Sequence, residues 1–184
     1  MELSDWELVQ KSQAGDRAAF QELVSRYHQK VYMVILGLMR NRDDAMEVAQ
    51  ETFFRAYQKL DRFQGDSSFY TWLYRIAVNL SIDAQRRQKR TPLEFRESVD
   101  GLLEKQNEVA KDPSADLANK QLREKLLDAI NDLTPEHKAV IVLRTIEGLS
   151  YRDIGEILGC SEGTVMSRLH YARKKLQQKL RAWL

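Results

Sequence analysis

Apolar residues recur three and four positions apart along almost the whole chain, which is the spacing of one face of an α-helix. Ser4-Asp5-Trp6-Glu7 reads as a capping box opening a short helix to about Ala14, closed by Gly15. Asp16 caps a second helix with Phe20, Leu23, Val24, Tyr27, Val31, Val34, Ile35 and Leu38 in helical register, and Asn41 marks its stop. A third helix is predicted from about Asp43 to Leu60, with Ala45, Val48, Ala49, Thr52, Phe53, Ala56, Tyr57 and Leu60 on one side. A turn-rich break from Asp61 to Ser68 contains Gly65. A fourth helix follows, about Ser68 to Gln88, aligned on Phe69, Trp72, Leu73, Ile76, Ala77 and Leu80.

Between Thr91 and Pro113 the pattern fades: apolar residues are sparse and acids common, as in a linker that does not fold alone. A stretch of roughly 25 residues reaches at most about 80 Å. A second module is predicted from Ser114, beginning with a helix carrying Leu117, Leu122, Leu126, Ala129, Ile130 and Leu133. Thr134-Pro135-Glu136 combines a cap, a proline at the first helical position and an acid at the positive dipole end. That helix runs to Glu147, and Gly148 closes it. Ser150 and Ser161 cap two further helices, the first ended by Gly159 and the second reaching about Leu180. There is no internal repeat and no persuasive strand. The expected fold is all-α: two helical modules, residues 1–90 and 114–184, joined by a flexible linker at 91–113.

The stretch from Leu149 to Leu169 meets the demands of a helix-turn-helix. Gly155 supplies a small residue at the helix crossing, and Gly159 a position free to take positive φ. Ile154, Leu158, Cys160, Val165 and Leu169 pin the pair to its support. An ordinary helical hairpin is the plain alternative, but it has no need of a basic, partly polar outer face. The outward positions are Glu162, Gly163, Met166, Ser167, His170, Tyr171 and Lys174, with Arg168 and Arg173 flanking. Ser161 and Thr164 sit where helix N-terminal amides meet phosphate. Ser167 and His170 suit base edges, and Met166 suits a thymine methyl. Arg152, Arg168, Arg173 and Lys174 are expected as phosphate clamps.

Charge supports this reading by its distribution, because the net charge is only +2. From Ser161 onward the bases Arg168, Arg173, Lys174, Lys175, Lys179 and Arg181 face one acid, Glu162, and a second basic run is Arg86-Arg87-Gln88-Lys89-Arg90. Either run alone reads equally well as a solvated helix face; two, each ending a helical module, point to nucleic acid. The single cysteine, Cys160, excludes an intrachain disulfide and fits a reducing, cytoplasmic setting. His28, His137 and His170 form no zinc spacing with it, so no metal or cofactor is expected. The N-terminus lacks the basic flank and apolar run of a signal peptide, and no stretch reaches membrane-span length.

The fourth helix packs Phe69, Tyr70, Trp72 and Tyr74 into its first turns. Phe69, Trp72, Leu73 and Ile76 share a core face. Tyr70 and Tyr74 share another near Arg75, followed by Asn79, Arg86 and Arg87. Such a stripe serves either as core or as a platform for unpaired bases. The third helix carries a polar face of Asp43, Asp44, Glu47, Gln50 and Glu51, beside a pair, Phe53-Phe54, that reads as exposed and protein-binding.

Asp44-Ala45-Met46-Glu47-Val48-Ala49-Gln50-Glu51-Thr52-Phe53, the run from Phe69 to Asn79, Leu133-Thr134-Pro135, and Gly148-Leu149-Ser150-Tyr151 with Gly163-Thr164-Val165 occur in order. Together they resemble the extracytoplasmic-function group of bacterial sigma-70-family sigma factors, over nearly the whole chain apart from the linker. The resemblance implies a protein that binds core RNA polymerase and directs promoter-specific initiation. The first module would be region 2, with Asp44, Glu47, Val48, Gln50, Glu51, Phe53 and Phe54 docking on the polymerase clamp. Gln64, Ser67, Tyr70, Arg75 and Asn79, with Arg86 and Arg87, would hold the non-template strand of the −10 element. The linker would thread the RNA exit path. The second module would be region 4, reading duplex −35 DNA through Arg152, Ser161, Thr164, Met166, Ser167, Arg168, His170, Tyr171, Arg173 and Lys174. An anti-sigma factor is a further implied partner. Met166 departs from the basic residue many relatives carry there, which puts a carried-over −35 preference in doubt, and Glu47 stands where aspartate is common.

Two other functions compete with this one. A standalone helix-turn-helix regulator would share the C-terminal motif, but it has no use for an aromatic strand-trapping helix. An enzyme would need a glycine-rich phosphate loop, a metal spacing or a nucleophile–base pair, none of which is evident. Ser150 is better read as a cap and His170 as a groove-facing residue.

Overall fold

The computed structural model describes residues 3–39, 41–90, 125–126 and 128–181. Seven α-helices are delimited within the described residues: α1 (Asp5–Gln13), α2 (Arg17–Met39), α3 (Arg42–Lys59), α4 (Phe69–Arg90), α5 (Pro135–Ile146), α6 (Tyr151–Leu158) and α7 (Glu162–Leu180); residues 125–126 and 128–131 are helical as well. A 3₁₀ turn, Leu60–Arg62, precedes the loop into α4. There is no strand among the described residues. The expected linker, 91–113, and most of the helix expected from Ser114 lie outside them.

Each of the seven helices starts on a short polar side chain that accepts from the first free amides. Ser4 and Glu7 form the reciprocal box. Asp16 Oδ1 accepts from the amides of Ala18 and Ala19 at 2.9 and 3.2 Å. Asn41 Oδ1 accepts from Asp43 and Asp44 at 2.8 and 3.0 Å. Ser68, Thr134, Ser150 and Ser161 do the same for α4 to α7. Such caps contribute about 1 kcal/mol each, and they fix the helix boundaries locally. Asn41 was expected to close α2; its side chain instead opens α3, at Arg42.

Leu23, Val31, Val34, Ile35 and Leu38 of α2 pack with Ala45, Ala49 and Ala56 of α3 and with Leu73, Ala77 and Val78 of α4. The same core continues without a break into Val140, Leu143, Ile154, Ile157, Val165 and Leu169 of the C-terminal module. The two modules, separate along the sequence, are packed together: α5 lies against α2, and α6 against α4. Gly37 permits the first contact. A Cβ there would lie 2.8 Å from Ile146 Cδ1 and 3.1 Å from Val142 Cγ1.

Candidate nucleic-acid interface and docking cleft

The helix-turn-helix has the expected geometry. Gly159 ends α6 at φ 64°, the left-handed region that glycine enters without strain. The turn folds back over Gly155, whose carbonyl accepts from the amides of both Gly159 and Cys160, the latter at 2.9 Å. A Cβ on Gly155 would sit 2.7 Å from the carbonyl oxygen of Cys160. Ile154, Val165 and Leu169 are buried as expected, whereas Leu158 and Cys160 are half-buried. Ile157, absent from the expected pinning set, is fully buried. Its spacing of three from Ile154 was the signal that could have found it.

On the outer face of α7, Met166 is 57% exposed, and Ser167, His170, Tyr171, Arg173 and Lys174 are exposed beside it. Ser161 Oγ serves the amide of Thr164, so its hydroxyl is already engaged in the helix start. Ser167 donates to the Thr164 carbonyl at 3.0 Å. The remaining cations differ in setting. Arg152 pairs with Glu156 at 3.3 Å across one turn and stays largely exposed. Arg168 is half-buried, with its guanidinium 3.8 Å from Cys160 Sγ, and so braces the turn. Tyr171 packs at a tilt of 43° against His137 of α5 with ring centroids 4.7 Å apart. Burial first, then the Arg168 charge, hold His137 below its ordinary pKa, so this support favours a neutral ring.

The aromatic start of α4 splits three ways. Phe69, Trp72 and Leu73 face the core or its edge, with Phe69 and Trp72 packed on Phe63. Tyr70 is half-buried, Arg75 and Asn79 are exposed, and Gln64 and Ser67 lie in the preceding loop. Tyr74 was expected to share an open face with Tyr70. It is only 2% exposed, and its hydroxyl donates to Glu147 Oε2 at 2.7 Å. Burial, reinforced by the Glu147 carboxylate, pushes that hydroxyl well above the usual tyrosine range, so it remains a donor at any physiological pH.

The C-terminal module is what covers this face. Arg75 donates through Nε and Nη2 to the Glu156 carbonyl at 3.1 and 2.6 Å. Tyr70 lies near Asp153, whose carboxylate is held below its ordinary pKa first by its hydrogen bond with Ser150. Arg86 pairs with Glu136 at 3.0 Å. Each tie joins residues far apart in sequence, so no local pattern marks Glu147, Asp153 or Glu156, and Glu136 is marked only as a helix-start acid.

A third surface is a cleft between α3 and α4. It is lined by Glu47, Val48, Gln50, Glu51 and Phe54, with Leu80 and Arg87 opposite. Five of the seven expected docking residues therefore meet in one place. Asp44 lies on the same helix and accepts from Gln88 Nε2 at 2.6 Å. The expected exposed pair is corrected: Phe54 is 57% exposed, but Phe53 is 8% exposed and stacks on His28. Adjacent residues on a helix point about 100° apart, so one of them had to turn inward. Arg87, grouped by sequence with the strand-reading residues, sits in this cleft.

Among the described residues, no cluster of three or more His, Cys, Asp or Glu is placed to hold a metal ion, and no helix is long and apolar enough to cross a membrane.

These features match known proteins over the whole chain. Residues 23–91 match the family model for sigma-70 region 2, and residues 123–176 that for sigma-70 region 4. The ECF RNA polymerase sigma-E factor of Haemophilus influenzae is 38% identical over 185 residues, covering 97% of this chain and 96% of that protein. The RNA polymerase sigma-H factor of Pseudomonas aeruginosa is 35% identical, covering 98% and 95%. Among solved structures, CnrH in complex with the cytosolic domain of CnrY superposes with a TM-score of 0.71 at 28% identity, covering 97% of each chain. The sigma factor RpoE of Bartonella quintana, solved with the anti-sigma factor NepR, gives 0.68 at 26% identity, covering 88% of this chain and 96% of that one. With an all-helical fold, a region 2 and a region 4 in order, and relatives of this identity along its full length, the chain belongs to the extracytoplasmic-function sigma factors of the sigma-70 family.

Proposed function

We propose that this sigma factor docks on core RNA polymerase through the α3–α4 cleft, reads the −10 strand with the loop before α4 and with α4 itself, and reads duplex −35 DNA with α7. The observation that carries this reading is the coexistence of three different surfaces in one chain. One is a cleft of mixed charge with an exposed Phe54, one an aromatic helix start next to Arg75 and Asn79, and one a helix-turn-helix with a polar and basic outer face. A plain regulator has no use for the first two.

The mechanism is binding, without covalent chemistry. Stacking an unpaired base on an aromatic ring gains about 1–3 kcal/mol, and this offsets the cost of unstacking it from duplex. Helix N-terminal amides and the cations of α7 fix the register on the duplex, and the exposed side chains in the groove select sequence. Met166 contributes apolar contact, which favours a thymine methyl over guanine. The packed arrangement of the two modules is a closed form. In it Tyr74 and Arg75 are engaged by Glu147 and Glu156 of the second module, which competes with a DNA strand for this end of α4. Engagement of a promoter therefore favours departure of the C-terminal module from α4. An anti-sigma factor is the expected partner of the closed form, and the cytoplasm, where polymerase acts, the expected site of action.

The test separates docking from strand capture. Asn79→Ala and Tyr70→Ala should each lower open-complex formation about tenfold, as expected for one lost base contact. Their affinity for core polymerase should stay within about twofold of the parent, because neither residue lines the cleft. Permanganate reactivity of the promoter reports the first quantity, and fluorescence titration with core enzyme the second. Loss of core binding in either variant would count against a strand-reading role for α4.

A further inference from the structure

The first helix lies outside the stretch matched by the region 2 family model, which begins at residue 23 within α2. Its packing gives it a task of its own. Gln13 sends one amide group to two backbone carbonyls, Leu60 and Phe63, each at 2.9 Å. Leu60 opens the 3₁₀ turn, where its carbonyl also accepts from the Phe63 amide at 2.9 Å, and Phe63 opens the loop that follows, so the one amide group ties both ends of the turn to α1. At the other end of α1, the Trp6 ring lies flat against Gly65 and edge-on to Phe63, with centroids 6.1 Å apart. Gly65 has φ +82°, and a Cβ there would sit 2.9 Å from Trp6 Cζ3 and 3.0 Å from Cη2. Only glycine meets both demands.

The platform beneath these contacts is rigid. Leu8 and Val9 are buried, and Asp5 pairs with Arg26 at 3.0 Å and also bonds the Tyr27 hydroxyl. Phe63 continues the contact inward to Trp72 and Phe69. The loop from Phe63 to Ser68 is thus held from below by aromatic rings and from the side by α1, leaving Gln64 exposed and Ser67 half-exposed at its tip. Trp6 itself is 42% exposed, more than a tryptophan recruited only for core burial would be.

We infer that α1 is a positioning element for the strand-reading loop: Trp6 and Gln13 hold residues 63–68 in the shape that presents Gln64 and Ser67, and so set how strictly the −10 strand is read. The inference rests on the strand-reading role proposed above. Neither residue needs to touch DNA. A loop free to shift by about 1 Å forfeits on the order of a hundredfold where function depends on placement, so a tenfold loss of discrimination is a conservative expectation.

The experiment uses holoenzyme, reconstituted from core polymerase and the full chain, on a promoter library randomised across the −10 element. Transcripts are counted by sequence for the parent, Trp6→Ala, Trp6→Phe, Gln13→Leu and Gly65→Ala, at a temperature where thermal melting shows each variant folded. Trp6→Ala and Gln13→Leu should flatten the preference for the best −10 sequences over their single-base neighbours about tenfold. Core affinity should stay within about twofold, and Trp6→Phe should keep most of the preference because it still covers Gly65. A uniform fall across all sequences with unchanged preference would make α1 merely structural and overturn the inference. Should Trp6→Ala prove too unstable to assay, Gln13→Leu decides by the same criterion. A parent holoenzyme that shows no sequence preference would instead overturn the strand-reading role itself, so the two failures are distinguishable. A readout independent of transcription is the coupling between Trp6→Ala and Gly65→Ala in thermal stability. The double variant should melt above the value summed from the single ones, because removing the indole relieves the Cβ clash; strict additivity would contradict the proposed contact.

Discussion

Replacing Gly155 by valine should destabilise the helix-turn-helix by up to about 3 kcal/mol and weaken duplex binding. The turn backbone passes directly over this residue: the Cys160 carbonyl oxygen would lie 2.7 Å from any Cβ, and that oxygen belongs to the main chain, which has no rotamer to adopt. Relief requires moving the whole Gly159–Ser161 segment off α6, breaking the two amide bonds accepted by the Gly155 carbonyl. Overpacking of this kind costs typically about 1–3 kcal/mol, and the upper end is expected where backbone must yield. Gly159→Ala is the informative control. At φ 64° with nothing within 4 Å of a Cβ, it meets only left-handed strain, about 1–2 kcal/mol. Thermal melting and fluorescence anisotropy with a −35 duplex should therefore rank the valine variant well below the alanine one. Equal effects would show that the close approach at Gly155 is not what shapes the turn.

Replacing Gly37 by lysine should open the molecule while leaving the first module intact. Residue 37 is in the last turn of α2, where lysine is better than glycine by roughly 1 kcal/mol of helix propensity and suits the negative end of the helix dipole. A lysine there must displace the tip of Ile146, which lies 2.8 Å from the first carbon it would add, press on Val142 at 3.1 Å, and place the rest of its chain and its charge in the α2–α5 contact. Residue 37 does not line the α3–α4 cleft, and its nearest neighbours are Ile146 and Val142 of α5, so the expected effect is on the packing of the two modules. Small-angle scattering should show a radius of gyration well above the roughly 16 Å of a compact chain of 184 residues. Amide exchange should quicken along Tyr70 to Arg75. If closure limits access, the variant should also engage core polymerase and promoter at lower concentration, because a larger fraction is competent to bind. A variant as compact as the parent would show that the α2–α5 contact does not maintain the closed form.

What the sequence made legible was everything local. Helix starts were readable because Ser4, Asp16, Thr134, Ser150 and Ser161 act on amides two or three residues away. The helix-turn-helix was readable because Gly155 and Gly159 act within one turn. The polar face of α3 was readable as a surface, and three of its residues, Glu47, Gln50 and Glu51, do line one cleft. Contacts between modules were not readable. Tyr74 looked like a second aromatic facing solvent because its partner, Glu147, lies in another helix beyond the linker. Gly37 carried no signal at all, since its meaning resides in Ile146 and Val142. Phe53 and Phe54 were misread as a pair because two adjacent apolar residues look alike until the core fixes which one turns inward. Periodicity identifies an apolar face without saying whether core, a partner module or DNA covers it.

These closures have a functional sense. Arg75, one of the side chains proposed to meet the DNA strand, and its neighbour Tyr74 donate hydrogen bonds to the second module, so opening and reading are linked equilibria. Polymerase shifts that balance if it binds the separated modules better than the packed ones, whereas a protein that binds the packed form shifts it back.

The most direct test of the central claim is run-off transcription with purified core RNA polymerase and the full chain on a library of promoters carrying varied −35 and −10 elements. The account predicts transcripts from a subset of promoters that appear only when this chain is added, with sequence preference at both elements. Absence of any promoter-specific transcript with bacterial core enzymes, alongside sequence-specific duplex binding by the chain alone, would contradict it and favour a standalone helix-turn-helix regulator.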